Sequence, residues 1–365
     1  MVIGQNKAMN KKVTVLMTVY NGMPYLREAV ESTLDQTYQD FEFLIIDDAS
    51  TDDSLDYLKS VKDDRIRIIK NENNLGQIIS LNKGIDIAAG EYIARLDQDD
   101  VNLPKRLEQQ IEYLTNNSNV ALICSFEHTI NSNGVKILDW KKHIQNYGQF
   151  IGEIILGQCP VWHPSVMYKK DVVEKLGYYN NQYGQAGDYD LWVKFALNRY
   201  EAAVVPEFHL LQREHDGRQS ILFYDKQIKA ASVVNQNVIN YFYGDKGLNS
   251  CISSFLRLQK DPCGIGFKGN HLKEIIRSVI ALFQSIEETK NLSVSEKKYF
   301  MRTIRNRLGY GIEIGYYFMF LPNFILTGLF FILSPMYFFK IRRFLAITYR
   351  KIRELKYIKN SLMPN

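Results

Sequence analysis

The fold is decided by the stretch from Val13 to Ser54, which reads VTVLMTVYNGMPYLREAVESTLDQTYQDFEFLIIDDASTDDS. Two runs rich in β-branched and aromatic residues, Val13–Val19 and Glu42–Asp47, predict strands. Between them an amphipathic segment begins near Pro24, a residue that suits the first turn of a helix. A strand, a helix and a second strand in succession predict a right-handed crossover within a parallel sheet.

The same alternation continues to about residue 120. Arg65–Lys70 and Glu91–Leu96 have the composition of strands, while Gln77–Ala88 and Lys105–Thr115 have helical periodicity. We therefore expect an α/β fold in which a mainly parallel sheet is flanked by helices. Ligands of such sheets bind at the carboxyl ends of the strands, so the loops there are the first place to look for a site.

The second half of the chain has a mixed pattern. Val120–Phe126 and Val166–Tyr168 predict strands, and further segments predict helices at Asp188–Asn198, Gln219–Tyr243, Leu272–Glu288 and Ser295–Arg307. We expect an N-terminal tail, a catalytic domain in two halves, a helical extension and an apolar segment with a basic tail. Their predicted bounds are residues 1–12, 13–120, 121–219, 220–310 and 311–365.

Carboxylates and turn residues are concentrated at three of the predicted strand ends. Tyr20-Asn21, Asp47-Asp48 and Asp97-Gln98-Asp99-Asp100 follow the first, second and fourth strands. Two carboxylates at positions i and i+2 of a turn can converge on one hard divalent cation. Such an ion commonly bridges a diphosphate as a phosphate-linked group departs. A solvated acidic turn is the alternative interpretation, which the gathering of acidic loops at one edge disfavours.

The first two strand ends also carry groups suited to a nucleotide base. A carboxylate in the position of Asp48 can accept a hydrogen bond from the imide N–H of uracil. Thr18 and Tyr20 alternate along the first strand and therefore point to the same face. A tyrosine ring there can stack on a base, although a lone tyrosine is more often part of a core.

Several enzyme classes are excluded by missing motifs. The turn after Val13–Val19 lacks the G-x-G-x-x-G of dinucleotide-binding dehydrogenases, and no G-x-x-x-x-G-K-[ST] phosphate loop occurs in the chain. The glycine-rich, arginine-containing phosphate loop of nucleotidyltransferases is also absent after this strand. The four cysteines form no C-x-x-C pair, which indicates reduced thiols rather than a disulfide or zinc framework.

Charge is unevenly distributed along the chain. Residues 300–365 hold eleven Lys and Arg against two Asp and Glu, whereas residues 1–299 hold 34 against 38. A mildly acidic body argues against nucleic acid as a partner. The basic tail indicates an anionic partner.

The most apolar segment of the chain is Ile314–Phe339, 26 residues without a formal charge. It is longer than the roughly 20 residues that cross a bilayer as a helix, but Pro322 and Pro335 interrupt it. Lysines and arginines follow it, and such clusters stay on the cytoplasmic side. Because residues 1–10 show no secretory signal, we expect peripheral or re-entrant attachment to the cytoplasmic face of the cell membrane. A buried helix pair or a partner-binding face is the alternative.

These motifs, together with NENNLGQIISLNKGIDIAAGEYIARLDQDD at residues 71–100, resemble the nucleotide-sugar-binding half of family 2 glycosyltransferases, which have the GT-A fold. The resemblance implies that the nucleotide contacts five residues: Thr18, Tyr20, Asp48, Lys83 and Asp97. Of these, Asp97 would meet the ribose, and Lys83, where the family often has arginine, would contact the diphosphate. Asp99 is the implied metal ligand.

The resemblance continues more loosely to about Ser220. The stretch HPSVMYKK at residues 163–170 is similar to the family's acceptor-side strand. AGDYDLWVKFA at residues 186–196 is similar to the segment that contains the catalytic base, which implies this role for Asp188. The family's usual preceding glutamate is Gly187 here, so Asp190 remains an alternative base. LQREHDGRQS at residues 211–220 is similar to the family's Arg-x-His loop, which implies His215 as the second metal ligand.

The resemblance implies a metal-dependent, inverting transferase of cell-surface polysaccharide biosynthesis. The expected donor is a nucleoside diphosphate sugar, with a UDP-sugar first, and the expected acceptor is a saccharide or a lipid-linked saccharide. Mn²⁺ is the first choice of metal and Mg²⁺ the second, because Mn²⁺ better tolerates imidazole beside carboxylate. The alternatives are transfer to a polyprenyl phosphate and a non-catalytic carbohydrate-binding or scaffold protein, which the filled metal, nucleotide and base positions disfavour.

Overall fold

The computed structural model describes residues 2–3, 11–243 and 292–303 and is built around a ten-stranded sheet. The strands are β1 (Val2–Ile3), β2 (Val13–Val19), β3 (Phe41–Asp47), β4 (Ile66–Lys70), β5 (Tyr92–Leu96), β6 (Val101–Asn102), β7 (Val120–Ile130), β8 (Lys136–Trp140), β9 (Met167–Lys169) and β10 (Glu201–Arg213). The helices are α1 (Leu26–Leu34), α2 (Ser54–Ser60), α3 (Gln77–Ile87), α4 (Arg106–Asn116), α5 (Tyr147–Ile155), α6 (Lys170–Lys175), α7 (Gly187–Leu197), α8 (Gln219–Leu222) and α9 (Tyr224–Tyr243). Residues 294–303 are also helical.

The sheet has the strand order β1-β4-β3-β2-β5-β9-β7-β10-β6, and β8 pairs with β7 as a hairpin. The ladders that join β4, β3, β2 and β5 are parallel, as is the long ladder between β7 and β10. The short strand β9 is antiparallel to both of its neighbours and joins the two parallel blocks. Because β3, β2 and β5 are adjacent and parallel, their carboxyl ends lie side by side.

Helices cover both faces of this sheet. On one face, Leu16 and Leu44 pack with Leu81 of α3 in a buried cluster. On the other, Met17 and Phe43 belong to a second buried cluster with residues of α1, α2 and α4. Burial on both faces explains why the parallel strands have continuous apolar runs rather than a strict alternation of apolar and polar residues.

The predicted strands in the first half of the chain agree with the observed ones to within one residue at each end. One helix was predicted wrongly: Gln219–Tyr243 is two helices, α8 and α9, which are separated at Phe223. Phe223 has φ −118° and ψ 25°, outside the helical region, so the chain turns there. The domain boundaries stay predictions.

Some predicted features lie outside the described residues. These are the helix at Leu272–Glu288 and the apolar segment Ile314–Phe339. Among the residues that are described, no helix combines the length and the hydropathy needed to cross a bilayer.

Candidate active site

Hydrogen bonds join the loop after β2 to the loop after β3. Asn21 adopts φ 50°, in the left-handed region, and its side-chain oxygen accepts hydrogen bonds from the backbone N–H groups of Thr51, at 2.8 Å, and Asp52, at 3.3 Å. In return, the N–H of Asn21 donates to Ser50 Oγ at 3.1 Å. Ala49 also has a positive φ, of 62°. Non-glycine residues in this region are uncommon and tend to cluster at functional sites.

The loop after β5 joins this pair through Gln98. The N–H of Tyr20 donates to Gln98 Oε1 at 2.8 Å, and Gln98 Nε2 donates back to the carbonyl of Tyr20 at 3.2 Å. The ring of Tyr20 is 45% exposed, so it is available to a ligand. Thr18 lies two residues before Tyr20 and is half-buried. The structure therefore brings the three predicted loops to one edge of the sheet.

Asp48 is buried beneath this surface, and both of its carboxylate oxygens accept hydrogen bonds. Oδ1 accepts hydrogen bonds from Asn71 Nδ2 at 2.7 Å, Ser80 Oγ at 3.0 Å and the N–H of Leu75 at 3.0 Å, while Oδ2 accepts from the N–H of Gly76 at 2.8 Å. Gly76 has φ +88°, a conformation that suits glycine. Asp48 thus holds the loop that leads into α3.

Lys83 of α3 is connected to the same network. Its Nζ donates to Asn71 Oδ1 at 2.7 Å, and Asn71 in turn donates to Asp48. The predicted nucleotide contacts Lys83 and Asp48 are therefore linked through a single amide. These two hydrogen bonds hold the Lys83 ammonium group close to Asp48.

Arg95 pairs with the acidic turn, which is formed by residues 97–100 after β5. Its guanidinium group is 1% exposed and forms a two-pronged ion pair with the Asp97 carboxylate. Burial opposes the guanidinium charge, but the neighbouring Asp97 carboxylate outweighs that effect and raises the pKa of Arg95. Gln77 Nε2 also donates to Asp97 Oδ1 at 3.2 Å. Asp97 is consequently fixed by charge-assisted hydrogen bonds.

His215 approaches the acidic turn from the end of β10. Its Nε2 lies 2.8 Å from Asp99 Oδ2, and its ring centroid lies 4.8 Å from that of Tyr25. The preceding strand end is anchored too, because the N–H of Arg213 donates to Asp100 Oδ1 at 2.9 Å. The two predicted metal ligands, 116 positions apart in the chain, are therefore in direct contact.

The acidic turn has the chemistry of a cation site. One carboxylate oxygen each of Asp97, Asp99 and Asp100 lies within 4.8 Å of the others. Burial, and then the charges of Asp99 and Asp97, raise the pKa of Asp100 well above its ordinary value. Carboxylates crowded in this way repel one another, and a divalent cation relieves that repulsion. Together with the imidazole of His215, the donor set fits Mn²⁺ or Mg²⁺, with Mn²⁺ favoured by the nitrogen ligand.

Asp188 lies in the first turn of α7 within electrostatic reach of the same turn. Its Oδ1 accepts a hydrogen bond from the N–H of Tyr189 at 2.8 Å. Burial raises the pKa of Asp188, the Tyr189 N–H and the charge of Arg95 partly offset this, and the Asp97 carboxylate adds to it. Asp188 therefore lies within electrostatic reach of the Arg95–Asp97 pair.

Asp190 has a different environment. It is buried, and its Oδ2 lies 3.0 Å from Lys194 Nζ one helical turn later. Lys194 also donates to the carbonyl of Tyr178 at 3.0 Å. This ion pair engages the Asp190 carboxylate within α7. Of the two aspartates, Asp188 is the one whose pKa responds to the charges of Arg95 and Asp97.

Comparison with known proteins decides the family. Residues 14–177 match the family model described as glycosyl transferase family 2. An uncharacterized glycosyltransferase of Methanocaldococcus jannaschii is 38% identical over 205 residues, which cover 55% of this chain and 70% of that protein. The chain belongs to glycosyltransferase family 2. The family expected from the sequence is thereby confirmed, and the protein is an enzyme of glycosyl transfer.

Further relatives agree with this assignment. The O-antigen biosynthesis glycosyltransferase WbnJ of Escherichia coli is 34% identical over 190 residues, which cover 50% of this chain and 70% of that protein. Among solved structures, S. aureus TarS 1-349 in complex with UDP-GlcNAc matches with a TM-score of 0.56 and 17% identity over 83% of this chain and 88% of that chain. At this identity the likeness shows the fold alone, and it confirms the GT-A class for this glycosyltransferase.

The sequence analysis did not identify two buried charged residues of this glycosyltransferase. Arg95 is the only charged residue of the apolar strand β5, and Glu127 is an acidic residue within the buried strand β7. Burial raises the pKa of Glu127 to about 7, the charge of Arg106 opposes this, and that of Asp97 adds to it. The available sequence signal was a charged residue inside an apolar strand. Charged residues are seldom fully buried without a partner, so such a position indicates a buried charge with a partner nearby.

The departure at Gly187 has a packing reason. A Cβ atom at this position would lie 2.7 Å from Ile78 Cδ1 of α3, closer than real side chains approach. The start of α7 therefore packs closely against α3, and a larger residue at this position would require the Ile78 side chain to move.

Proposed function

We propose that this enzyme transfers a sugar from UDP to a hydroxyl of a saccharide or lipid-linked saccharide, with inversion, during synthesis of a cell-surface polysaccharide. The observation that carries the proposal is the convergence of the Asp99–His215 contact, the Arg95–Asp97 pair and Asp188 on one edge of the sheet. Relatives named for O-antigen biosynthesis and a similar fold solved with UDP-GlcNAc support the choice of substrates.

The nucleotide would occupy the edge formed by the three loops. The half-exposed ring of Tyr20 would stack on the base, with Thr18 beside it, and Asp97 would meet the ribose. An imide N–H of uracil would reach Asp48 by replacing one of its present donors, such as the N–H of Leu75. Lys83, already linked to Asp48 through Asn71, would then lie close enough to contact the diphosphate.

A divalent cation would be held by Asp99 and His215. When bound, it would neutralise the negative charge that develops on the departing diphosphate. Arg95 fixes the orientation of Asp97 on the other side of the acidic turn, so that the turn keeps its shape without rearrangement.

Asp188 would remove the proton from the attacking acceptor hydroxyl. Its raised pKa makes it a better base than an ordinary surface aspartate, because base strength increases with the pKa of the conjugate acid. A single displacement by that hydroxyl forms the new glycosidic bond, breaks the bond between the anomeric carbon and UDP, and inverts the anomeric centre.

Attachment to the cytoplasmic face of the cell membrane is a further part of the proposal. It is supported by the sequence of Ile314–Phe339 and by the basic residues that follow it. Separation of membranes from the soluble fraction tests it. Recovery of the full-length protein entirely in the soluble fraction without detergent, and without binding to anionic liposomes, would contradict it.

Release of UDP from UDP-sugars is the direct test of the proposed reaction. We would incubate the full-length protein with UDP-glucose, UDP-galactose or UDP-GlcNAc, with Mn²⁺, Mg²⁺ or EDTA, and measure free UDP. We expect slow metal-dependent hydrolysis of one donor, because water can replace the acceptor. Equal UDP release in EDTA would contradict the metal, and no release from any donor with either metal would contradict the reaction.

A further inference from the structure

An aromatic pair includes Trp140, the last residue of β8, at the end of the β7–β8 hairpin away from its turn. Trp140 is 39% exposed, and its ring centroid lies 5.2 Å from that of the half-buried Trp162. Lys142 Nζ lies 4.2 Å above the Trp162 ring and also donates a hydrogen bond to the carbonyl of Cys159. We call Trp140, Trp162 and Lys142 the tryptophan platform.

The platform adjoins the candidate base. Trp162 directly precedes His163, whose ring centroid lies 5.9 Å from that of Trp192 on α7, the helix that carries Asp188 in its first turn. Burial raises the pKa of the Cys159 thiol to about 12, and the negative charge of Asp188 adds to this effect. The Cys159 carbonyl accepts from Lys142, so the platform and Asp188 have this residue as a common neighbour.

The strand register gives a second, independent connection. In the antiparallel β7–β8 ladder, Trp140 is directly opposite Glu127. Residues directly opposite each other in such a ladder extend to the same face of the sheet. Trp140 and the buried Glu127 therefore extend to the same face, and Glu127 is within reach of the Asp97 charge.

We propose that the tryptophan platform binds a sugar ring of the acceptor and holds it toward Asp188, an inference that rests on the proposed transferase function. A pyranose ring has an apolar face of C–H groups and a rim of hydroxyl groups. The half-exposed face of Trp140 suits the apolar side, as aromatic rings do in many ligand sites. Lys142 uses one of its three N–H donors on Cys159, which leaves donors for the hydroxyl rim.

Charge favours a saccharide with acidic substituents. The hairpin strand and the residues after it contain Lys136, Lys141 and Lys142 but a single carboxylate, Asp139. That carboxylate is already paired with Lys136, at 2.7 Å, and His128, at 2.6 Å. Lys136 and Lys141 lie over the Phe208 ring, so Lys142 is the lysine at the platform itself. The net positive charge of this segment would attract a negatively charged sugar chain.

Tryptophan fluorescence tests the platform on the full-length protein. The chain has three tryptophans, and the third, Trp192, is fully buried, so Trp140 and Trp162 are the ones that a ligand at the surface can reach. We would titrate the protein with chitotetraose, maltotetraose and a hyaluronan tetrasaccharide. We expect at least one of them to change the emission with saturation, and the acidic one to bind most tightly at low salt.

Variants distinguish the platform from the rest of the hairpin. Trp140→Ala should weaken binding of the same oligosaccharide by about tenfold or more, whereas Trp140→Phe should retain part of the affinity. Ile137→Ala is the matched control, since Ile137 is 55% exposed on the same strand but lies outside the platform, and its affinity should equal that of the wild type. In an acceptor assay, Trp140→Ala should raise the acceptor KM with a smaller change in kcat.

The binding measurements test the tryptophan platform, and the hydrolysis measurement tests the transferase function. The inference is overturned if no oligosaccharide changes the emission, if Trp140→Ala binds as the wild type does, or if the substitution only changes the oligomeric state on size-exclusion chromatography. UDP-sugar hydrolysis by the wild-type protein is measured separately. Its absence would contradict the transferase function, while oligosaccharide binding at Trp140 would still be measured by fluorescence.

Discussion

His215 Nε2 lies 2.8 Å from Asp99 Oδ2, although the two residues belong to loops at the ends of different strands. The contact joins the turn after β5 to the loop after β10 and closes one side of the candidate site. An imidazole and a carboxylate in this arrangement either share a proton or share a metal ion. The first prediction separates these two possibilities.

Substitution of either partner should increase the metal requirement of the enzyme. We expect Asp99→Asn and His215→Gln to raise the Mn²⁺ concentration that gives half-maximal UDP release by at least about tenfold, because each loses one ligand. Asp216→Asn is the control, since this carboxylate is exposed beside His215. A metal titration that matches the wild type in both variants would show that the pair shares only a proton.

The two aspartates of α7 should behave differently. Asp188→Asn should lower kcat for sugar transfer by roughly 10²–10⁴-fold, the usual contribution of a general base. Asp190→Asn removes the ion pair with Lys194, so it should lower thermal stability more than it lowers kcat. Measurement of kcat and of the melting temperature for both variants tests this assignment. Greater loss of kcat in Asp190→Asn would transfer the role of base to Asp190.

Glu127 should make the protein less stable as pH rises. Burial raises its pKa to about 7 in the folded protein, against 4.5 in the unfolded chain. Between these values the folded state binds more protons than the unfolded state, so the stabilisation is complete below pH 4.5 and is lost as pH rises through 7. The difference corresponds to about 3 kcal/mol.

Glu127→Gln, which is neutral at every pH, tests this linkage. Relative to the wild type, the variant should become more stable between pH 5 and pH 8, as measured by urea unfolding at both values. Glu108→Gln is a control, since Glu108 is exposed on α4. A difference between wild type and Glu127→Gln that does not change with pH would contradict the raised pKa.

Local patterns made much of this structure predictable, but long-range packing did not. The strands β2 to β5 follow from apolar runs, and the edge they share follows from the parallel order, so Asp48, Asp97 and Asp99 could be placed together. Strand β10 was missed because Pro206 interrupts its pattern, and the ladder with β7 shifts register between Val205 and Phe208. Arg95 within an apolar strand was a local signal, but its burial depends on neighbours that are distant in sequence.

The last prediction concerns Gly187, where the chain departs from the glutamate usual in the family. Gly187→Glu should destabilise the protein by about 1–3 kcal/mol, because the new Cβ would overlap with Ile78 Cδ1 and force that side chain out of its packed conformation. Ile78→Val removes that one methyl group and alone should cost about 0.5–1.5 kcal/mol.

Combining the two substitutions tests the clash itself. In the Ile78→Val background, Gly187→Glu should cost less than it does in the wild type, since the overlapping atom is gone, and the difference is the coupling energy of a double-mutant cycle. Ile85→Val is the matched control on the same helix, because Ile85 is buried but is absent from the atoms nearest to Gly187. Urea unfolding of the five variants and the wild type gives both cycles. Equal coupling with Ile78 and Ile85 would mean that a general loosening of α3, rather than contact with Ile78, requires glycine at this position.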